Sequence, residues 1–590
     1  MSSSCVSGSG SRTTLRIVQV TDVYLLQNFP ALRTLLLQKK NELQKECGAG
    51  ACTLSTLTGD FLMPYLLSSL DKGRGMMQMC NETPIDILTW GNHECDLAHE
   101  HVLAREKEYK GIFLNTNFKE HESYANSTCQ KDAHVVELVS EDGTNRRRVG
   151  LIGLITDSPS LYKPDSFGGK ASAIEDPYET CRRYVQAMKS ADYPGGACDV
   201  VVPLEHLYEP QDEKMANEVP GLPVILSGHD HHVVDKVVNG TRILKPGADA
   251  HHAVVLDLSW PSAGDDVTVQ VSAEILKVSD FEPDPHLVPL VEKAYQPLEG
   301  LLQTQIVKIP ECVRPLTSLG ARNRRVSAGT FLLSALRDAL NSGGKSRNVD
   351  AVLIKGGNVR GGRDYADTDL FTLESLKSEI SETQDLVICS VPGSVIRVGL
   401  RETWEAPNPG WMQYDDGVEV DDDGYVTTVA GEDLDENRLY RVGTVVDLFR
   451  ARDGPSFGHY FEEHPEHKPD DDSGVNMHAL LLGYFADQAW QKVLDALDAD
   501  HSGSISAQEL KAVDTNGDGF VDKGELVEAL VKLGGFKATH DELSFIDQVL
   551  AVAGDVDRDG RLSLNEINGM LSSRRASSLR IAEAPAPISG

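Results

Sequence analysis

Asp22, the pair Gly59-Asp60, the run Gly91-Asn92-His93-Glu94, His206 and the run Gly228-His229-Asp230-His231 are the residues of this chain best equipped to do chemistry. Carboxylates, an amide oxygen and imidazoles together make a donor set suited to divalent transition metals. A hydrolytic two-metal site needs a carboxylate shared by two ions about 3.5–4 Å apart, and Asp60 is the natural bridge. Asn92 can offer a neutral amide oxygen to one ion while its neighbour His93 stays free for proton chemistry. In this order the set points to metal-assisted hydrolysis of a phosphate ester.

Each cluster follows an apolar run: residues 15–20 precede Asp22, 54–57 precede Gly59, 85–88 precede Gly91 and 224–226 precede Gly228. Short apolar runs of this kind read as buried strands, and the ends of strands are where α/β sheets place chemistry. Between them lie helix-like stretches at 30–45 and 178–190, so residues 13–280 are expected to form one α/β domain. Residues 281–308 read as a helical connector interrupted by Pro289 and Pro297. A second α/β domain is expected over 309–468, an acidic linker over 469–474, and a third module over 475–572. Residues 1–12, rich in Ser and Gly, and the tail 573–590 are expected to be disordered.

The third module carries three twelve-residue loops, 498–509, 514–525 and 555–566. A calcium loop needs oxygens at its odd positions, glycine at position 6, an apolar residue at position 8 and a bidentate glutamate at position 12. The first loop offers Asp498, Asp500, Ser502, Ser504, Ser506 and Glu509. The second offers Asp514, Asn516, Asp518, the Phe520 carbonyl, Asp522 and Glu525, and the third Asp555, Asp557, Asp559, the Arg561 carbonyl, Ser563 and Glu566. Ile505, Val521 and Leu562 stand at position 8, where loops pair across a short β contact. These segments resemble EF-hands, so calcium is expected at up to three loops. Only residues 510–513 separate the first loop from the second, too few for two helices, so the second and third are expected to form the main lobe.

The second domain contains Lys355-Gly356-Gly357-Asn358-Val359-Arg360 after the apolar run 349–354. Glycines there let backbone approach a bound anion closely, and the Arg360 guanidinium can bind phosphate through its fork of donors. Asn358 lies in the same loop and is a second candidate for substrate contact.

The formal charge is -34, which repels nucleic acid phosphates and anionic membrane surfaces. A nucleic acid scaffold is therefore not expected as a partner. Ten cysteines are spread without CxxC pairs, so neither a disulfide framework nor a zinc ribbon is indicated. The first residues lack an apolar signal core and no run is long enough to span a bilayer, so a cytoplasmic protein without a membrane span is expected.

The strings VTDVY, TGDFLMP, WGNHECD, PLEHL and SGHDHH, taken together, resemble the calcineurin-like metallophosphoesterases, specifically their 5'-nucleotidase branch, over roughly residues 13–465. The resemblance implies a four-layer αββα metal domain and an α/β substrate domain, here followed by the all-α EF-hand module. It implies two divalent transition metals, zinc, manganese or iron. Asp22, Asp60 and His231 would hold one, and Asp60, Asn92, His206 and His229 the other. His93 would stabilise the transition state or protonate the leaving oxygen, with Asp96 orienting it. The loop at 355–360 resembles the family's substrate loop, with Lys355 where the family has Asn. The segments around Trp411 and Phe457 resemble those that supply the family's paired aromatics, which sandwich a nucleobase. One departure concerns the metals. The family carries Asp-x-His in its first motif, and this chain has Asp22-Val23-Tyr24, so Tyr24 either ligates, as a phenolate on ferric iron would, or packs beside the site.

The expected function is hydrolysis of nucleoside monophosphates to nucleoside and phosphate. The alternatives are a cyclic-nucleotide or nucleotide-sugar phosphoesterase on the same scaffold, or a calcium sensor whose phosphoesterase domain has decayed. The partners expected are a nucleotide or related phosphate ester, and a calcium-dependent contact made with another protein or within the chain.

Overall fold

The computed structural model describes residues 11–122, 124, 127, 129–162, 166–264, 267–342, 349–367, 369–381, 384–405, 410–450, 454–470, 472–500, 502, 505–533 and 561–567. Asp555, Asp557, Asp559 and Ser504 lie outside them. The chain divides into two compact units: Met1–Tyr65 with Gly73–Ala294, and Leu66–Lys72 with Tyr295–Gly590.

The first unit is built on two sheets. One runs in the order Gln270–Lys277, His252–Trp260, Thr13–Val20, Ala51–Thr58, Ile87–Thr89, Ile112–Leu114 and Gln130–Lys131. The strands from Thr13–Val20 to Gln130–Lys131 pair in parallel, and the first two are antiparallel to their neighbours. The other runs Val233–Val238, Thr241–Pro246, Val224–Ser227, Val200–His206, Arg146–Ile155 and His134–Val139, parallel through its centre and antiparallel at both edges. Leu15, Ile17, Leu151, Val202, Leu226 and Leu256 fill the space between the sheets.

Helices cover the outer faces. Phe29–Cys47 packs on the first sheet, and Pro177–Met188 and Glu209–Glu218 pack on the second. In Pro177–Met188 the buried Tyr178, Cys181, Val185 and Met188 recur at helical spacing, and the Asp176 carboxylate caps the helix by accepting the Glu179 N–H at 2.8 Å. The result is the four-layer αββα arrangement. The runs 15–20, 54–57 and 224–226 are strand throughout and the last two residues of 85–88 fall in Ile87–Thr89, so the clusters that follow them emerge at strand ends.

The second unit centres on a five-stranded sheet ordered Met412–Tyr414, Ala351–Lys355, Leu439–Thr444, Asp385–Pro392 and Val475–Asn476. In Ala351–Lys355, Val352 and Ile354 join the core shared with helix Ser327–Ser342, while Ala351 and Leu353 join the core shared with helices Gly393–Glu405 and Pro455–Glu463. Burial on both faces explains why this strand reads as an unbroken apolar run.

Helix Met477–Leu497 begins just past the expected linker, and its first half is built into that core through Met477, Leu481, Leu482 and Phe485. The same cluster continues to Leu510, Val521, Leu526 and Leu562. Packing therefore does not break at 469–474: the expected substrate domain and the calcium loops share one core. Leu66–Asp71, also part of this unit, packs against the same long helix. The connector contains a helix, Val288–Leu301, with Pro297 inside it, and the boundary between the units falls within that helix.

Candidate metal centre

The expected ligands of the first unit do converge. Asp22 follows Thr13–Val20, Asp60 follows Ala51–Thr58, Asn92 and His93 follow Ile87–Thr89, His206 ends Val200–His206, and His229 and His231 follow Val224–Ser227. The loops are stitched together by backbone bonds: the Asp22 N–H donates to Gly59 O at 3.2 Å and the Asp249 N–H to Asp22 O at 2.8 Å.

Four of the expected ligands hold φ in the left-handed region: Asp22 (51°), Asp60 (54°), His229 (84°) and His231 (59°). Such backbone costs of order 1–3 kcal/mol per residue and persists where its surroundings over-determine it. Two glycines make the close approach possible. A Cβ on Gly59 would lie 2.4 Å from His206 Nδ1, and one on Gly91 would lie 2.1 Å from Asp60 Oδ1.

Asp60, His206 and His229 each place a ligand atom within 4.8 Å of the others, and all three are buried. His206 Nε2 lies 2.9 Å from Asp60 Oδ2 and 3.9 Å from Asp22 Oδ1, and His231 Nε2 lies 3.5 Å from Asp22 Oδ1. His206 Nδ1 meets Thr58 O at 2.8 Å, which turns Nε2 toward the carboxylates. Asp22 Oδ1 is buried without a well-formed hydrogen bond among the described residues. A buried acceptor of this kind is one that a cation can satisfy, and the mixed oxygen and imidazole set fits divalent transition metals.

The electrostatics agree. Burial opposes ionisation of Asp22, yet His206 and His231 outweigh it and hold this carboxyl below its usual range. Burial likewise works against a charged His206, but Asp60 and Asp22 raise it to about 10. The carboxylates thus demand positive charge at this point, supplied by a proton or by a metal.

His93 lies beside the expected ligands: its Nδ1 meets Asp96 Oδ2 at 2.8 Å, which holds the ring, and its backbone N–H donates to Asp60 Oδ1 at 2.8 Å. Asn92 is buried between Gly91 and His93, both against the Asp60 carboxylate. Tyr24 does reach the site: its hydroxyl is 3.0 Å from His231 Nε2 and 3.5 Å from Asp60 Oδ2.

Two supporting residues have no role in the sequence reading: Glu94, named there only as part of its run, and Lys245. Glu94, wholly buried, accepts backbone N–H groups from Phe61 at 2.7 Å, Leu62 at 3.1 Å, Asp60 at 3.1 Å and Gly91 at 2.6 Å, clamping the Asp60 turn to the Asn92 turn. Its position beside His93 was the available signal. Lys245, 1% exposed, donates to Leu207 O and Gly228 O, both at 2.7 Å, and pairs with Asp212 at 2.7 Å and with Asp230. Burial disfavours its charge, but those two carboxylates outweigh it and keep it an ammonium ion. Leu207 adjoins His206 and Gly228 adjoins His229, so one buried cation ties together the two histidine loops.

In the second unit, the Gly356 N–H donates to Trp411 O at 2.9 Å, and the Arg322 guanidinium lies beside Gly357. Asn358 is buried and donates to Gln384 Oε1 at 2.9 Å, whereas Arg360 is exposed. Trp411 is stacked on Trp404, with ring centroids 4.2 Å apart and planes 11° from parallel. Phe457 corrects the expectation. It is wholly buried in the core with Leu400 and Leu448, its ring against Gly399, and presents no face to a ligand. The reason is local: Gly454 precedes a helix that starts at Pro455, and the inward face of that helix carries Phe457, Gly458 and Phe461.

The calcium loops take the expected form where they are described. Asp498, Asp500 and Glu509 bring ligand atoms within 4.8 Å of one another. Asp514 accepts the Gly517 and Asp518 N–H groups, Glu525 closes its loop on the Asn516 and Asp522 N–H groups, and Gly519 at position 6 has φ 87°. Val521 pairs with Leu562 and Asp522 with Arg561, joining the second loop to the third. Phe520 lies within the second loop, and Glu566 accepts the Ser563 N–H at 2.8 Å. The first loop runs into the short helix Ala507–Val513, which Ser506 caps.

The first unit thus gathers a donor set of metal-site type at its strand ends, and the second carries loops of calcium-binding type. The EF hand family matches residues 491–513 and 510–531. The chain is 24% identical over 255 residues to the uncharacterized metallophosphoesterase YunD of Bacillus subtilis, covering 42% of this chain and 50% of that protein. It is 25% identical over 194 residues to a probable 5'-nucleotidase of Treponema pallidum, covering 33% and 30%. It thus spans half or less of these relatives. The Haemophilus influenzae NAD nucleotidase shares the fold with a TM-score of 0.58 at 17% identity, over 81% of this chain and 96% of that one. The resemblance read from the motifs stands: the relatives include a metallophosphoesterase and a probable 5'-nucleotidase, and the EF-hand match lies in the C-terminal part of this chain. No helix among the described residues is long and apolar enough to cross a membrane.

Proposed function

We propose that this chain is a calcium-binding, metal-dependent phosphoesterase that hydrolyses nucleoside monophosphates to nucleoside and phosphate. The observation that carries the reading is the convergence of Asp22, Asp60, His206, His229 and His231 at strand ends beside the His93–Asp96 pair. Two divalent metals held by Asp22, Asp60, Asn92, His206, His229 and His231 would supply Lewis acidity at phosphorus and an activated water. The chain's own contribution is positional and protonic. Glu94 and Lys245 hold the ligand loops, and Asp96 orients His93 so that Nε2 can give its proton to the leaving oxygen. The loop at Gly356 with Trp411 supports a planar, anionic substrate, and Arg360 and Asn358 are the candidate contacts in that loop. Calcium at the EF loops, and any calcium-dependent contact made by that region, belong to the same reading.

The test is phosphate release from a panel of nucleoside monophosphates, cyclic nucleotides, nucleotide sugars and dinucleotides, with bound metal measured in parallel. Asp60→Asn should lose both activity and metal. His93→Ala should keep its metal and lose about 10²–10⁴-fold in kcat. Parental turnover in His93→Ala removes the assigned acid, and turnover of cyclic nucleotides alone moves the substrate class.

A further inference from the structure

The chain folds back on itself where helix Pro455–Glu463 ends. His464 is the cap residue, and a 3-10 turn, Pro465–His467, follows directly. The His464 N–H donates to Tyr460 O at 2.8 Å and the His467 N–H to His464 O at 3.1 Å. This turn gathers three side chains of ligand type. His464, Glu466 and His467 each place a ligand atom within 4.8 Å of the other two.

One pair already has the spacing of two donors on a single ion. His464 Nδ1 stands 3.2 Å from Glu466 Oε1. Two donors each about 2.0–2.2 Å from one ion, at a tetrahedral angle, are separated by about 3.3–3.6 Å, so these two atoms need move little to share it. The two imidazoles lie 20° from parallel with centroids 5.6 Å apart. The Tyr460 hydroxyl is hydrogen-bonded to His467 Nδ1, an outer contact that orients the ring and leaves Nε2 for a ligand. The His464 and Glu466 side chains are 45% and 62% exposed, so an ion can enter without opening the fold. The surrounding sequence favours cations: residues 454–474 contain Glu462, Glu463, Glu466, Asp470, Asp471 and Asp472 against one lysine, Lys468.

We infer that His464, Glu466 and His467 form a binding site for a divalent transition metal of the zinc class. Two imidazoles and a carboxylate suit zinc, cobalt, nickel or copper, whereas calcium and magnesium take sets made of oxygens, so this site is chemically distinct from the EF loops. It shares no ligand with the metal centre of the first unit and does not depend on the function proposed for that centre. Three protein ligands leave one position for water or for an outside donor.

The experiment uses the full chain with its EF loops saturated with calcium. Parent, His464→Ala/His467→Ala and Glu466→Gln are equilibrated at a series of free zinc concentrations, and bound zinc is counted by elemental mass spectrometry. The double variant should carry one zinc fewer per chain at micromolar free zinc, with melting temperature in zinc-free buffer and phosphate release unchanged. With cobalt, the parent should show one more visible absorption band than the double variant. Equal zinc in parent and double variant overturns the site, as does a difference that emerges only at millimolar zinc. If the double variant melts lower, Glu466→Gln decides: it should bind zinc about tenfold more weakly than the parent, and parental affinity overturns the site.

Discussion

Lys245→Met removes one buried ammonium and keeps most of the side-chain stem. In the native structure that ammonium lies 2.7 Å from Leu207 O, Gly228 O and Asp212 Oδ2 and also pairs with Asp230. Without it the wholly buried Asp212 is left uncompensated. Removing one partner of a buried pair costs about 3–5 kcal/mol. At about 2–4 °C per kcal/mol for a unit approaching this size, the transition of the first unit should fall by about 6–20 °C in calorimetry. A second consequence separates a clamp from a mere charge balance. Lys245→Met/Asp212→Asn removes one charge of each sign and should recover most of the melting temperature. The Leu207 and Gly228 carbonyls stay untied, so His206 and His229 remain poorly placed, and metal affinity should stay about tenfold or more below the parent. If the double variant regains parental metal affinity, the clamp reasoning fails. If the single variant melts and binds metal like the parent, both arguments fail.

Tyr24→Phe should weaken metal binding by about 10- to 100-fold, because the lost hydroxyl reaches both His231 and Asp60; equal affinity in a metal titration would place Tyr24 outside the site's machinery. Trp411→Ala should raise KM for nucleoside monophosphates by about 5- to 150-fold, the equivalent of about 1–3 kcal/mol of stacking, and leave a baseless phosphate ester unaffected. Phe457→Ala should instead cost about 3–5 kcal/mol of stability with no preference between the two substrates; a selective KM effect would reverse the correction made above. Burial, helped by His99, pushes His121 down to about 3, so between there and its unfolded value near 6.5 the unfolded chain binds a proton that the native chain does not. That stability is whole above about pH 6.5 and is lost as pH falls, so near pH 5 the parent should lose about 1.4 kcal/mol per pH unit more than His121→Phe in denaturant titrations; equal slopes would show that His121 titrates normally.

The candidate metal-site residues were legible because their chemistry is written in short strings at strand ends, three of which carry a glycine, at Gly59, Gly91 and Gly228. The first sheet needed only the runs before Asp22, Gly59 and Gly91 to be recognisable. Glu94 was within reach, since it sits in the same string as Asn92 and His93. Lys245 was not: its string, Arg242-Ile243-Leu244-Lys245-Pro246, reads as an ordinary strand, and its partners at Leu207, Asp212, Gly228 and Asp230 are assembled only by the pairing of three strands. Phe457 failed for a related reason. An aromatic after Gly-Pro-Ser reads as a loop residue until the helix starting at Pro455 turns it inward, while Trp404, the ring that does stack on Trp411, is hidden near the end of helix Gly393–Glu405.

The calcium region shows the same limit at the scale of a domain. Composition marks 469–474 as a linker, because acidic residues with Gly and Ser commonly end a domain. What composition cannot show is that Met477–Leu497, which begins just past that linker, packs back into the core of the preceding domain. Its first half packs on Ser327–Ser342 and its last residue precedes Asp498, the first ligand of the first calcium loop. The core from Leu332 and Leu336 through Leu481 and Phe485 to Leu510 and Leu526 is therefore one apolar body. A ligand that binds only the folded form stabilises everything that folds with its site. Calcium bound by Asp498, Asp500 and Glu509 would accordingly stabilise the core that carries Ala351–Lys355 and the Gly356 loop, rather than a tethered accessory module.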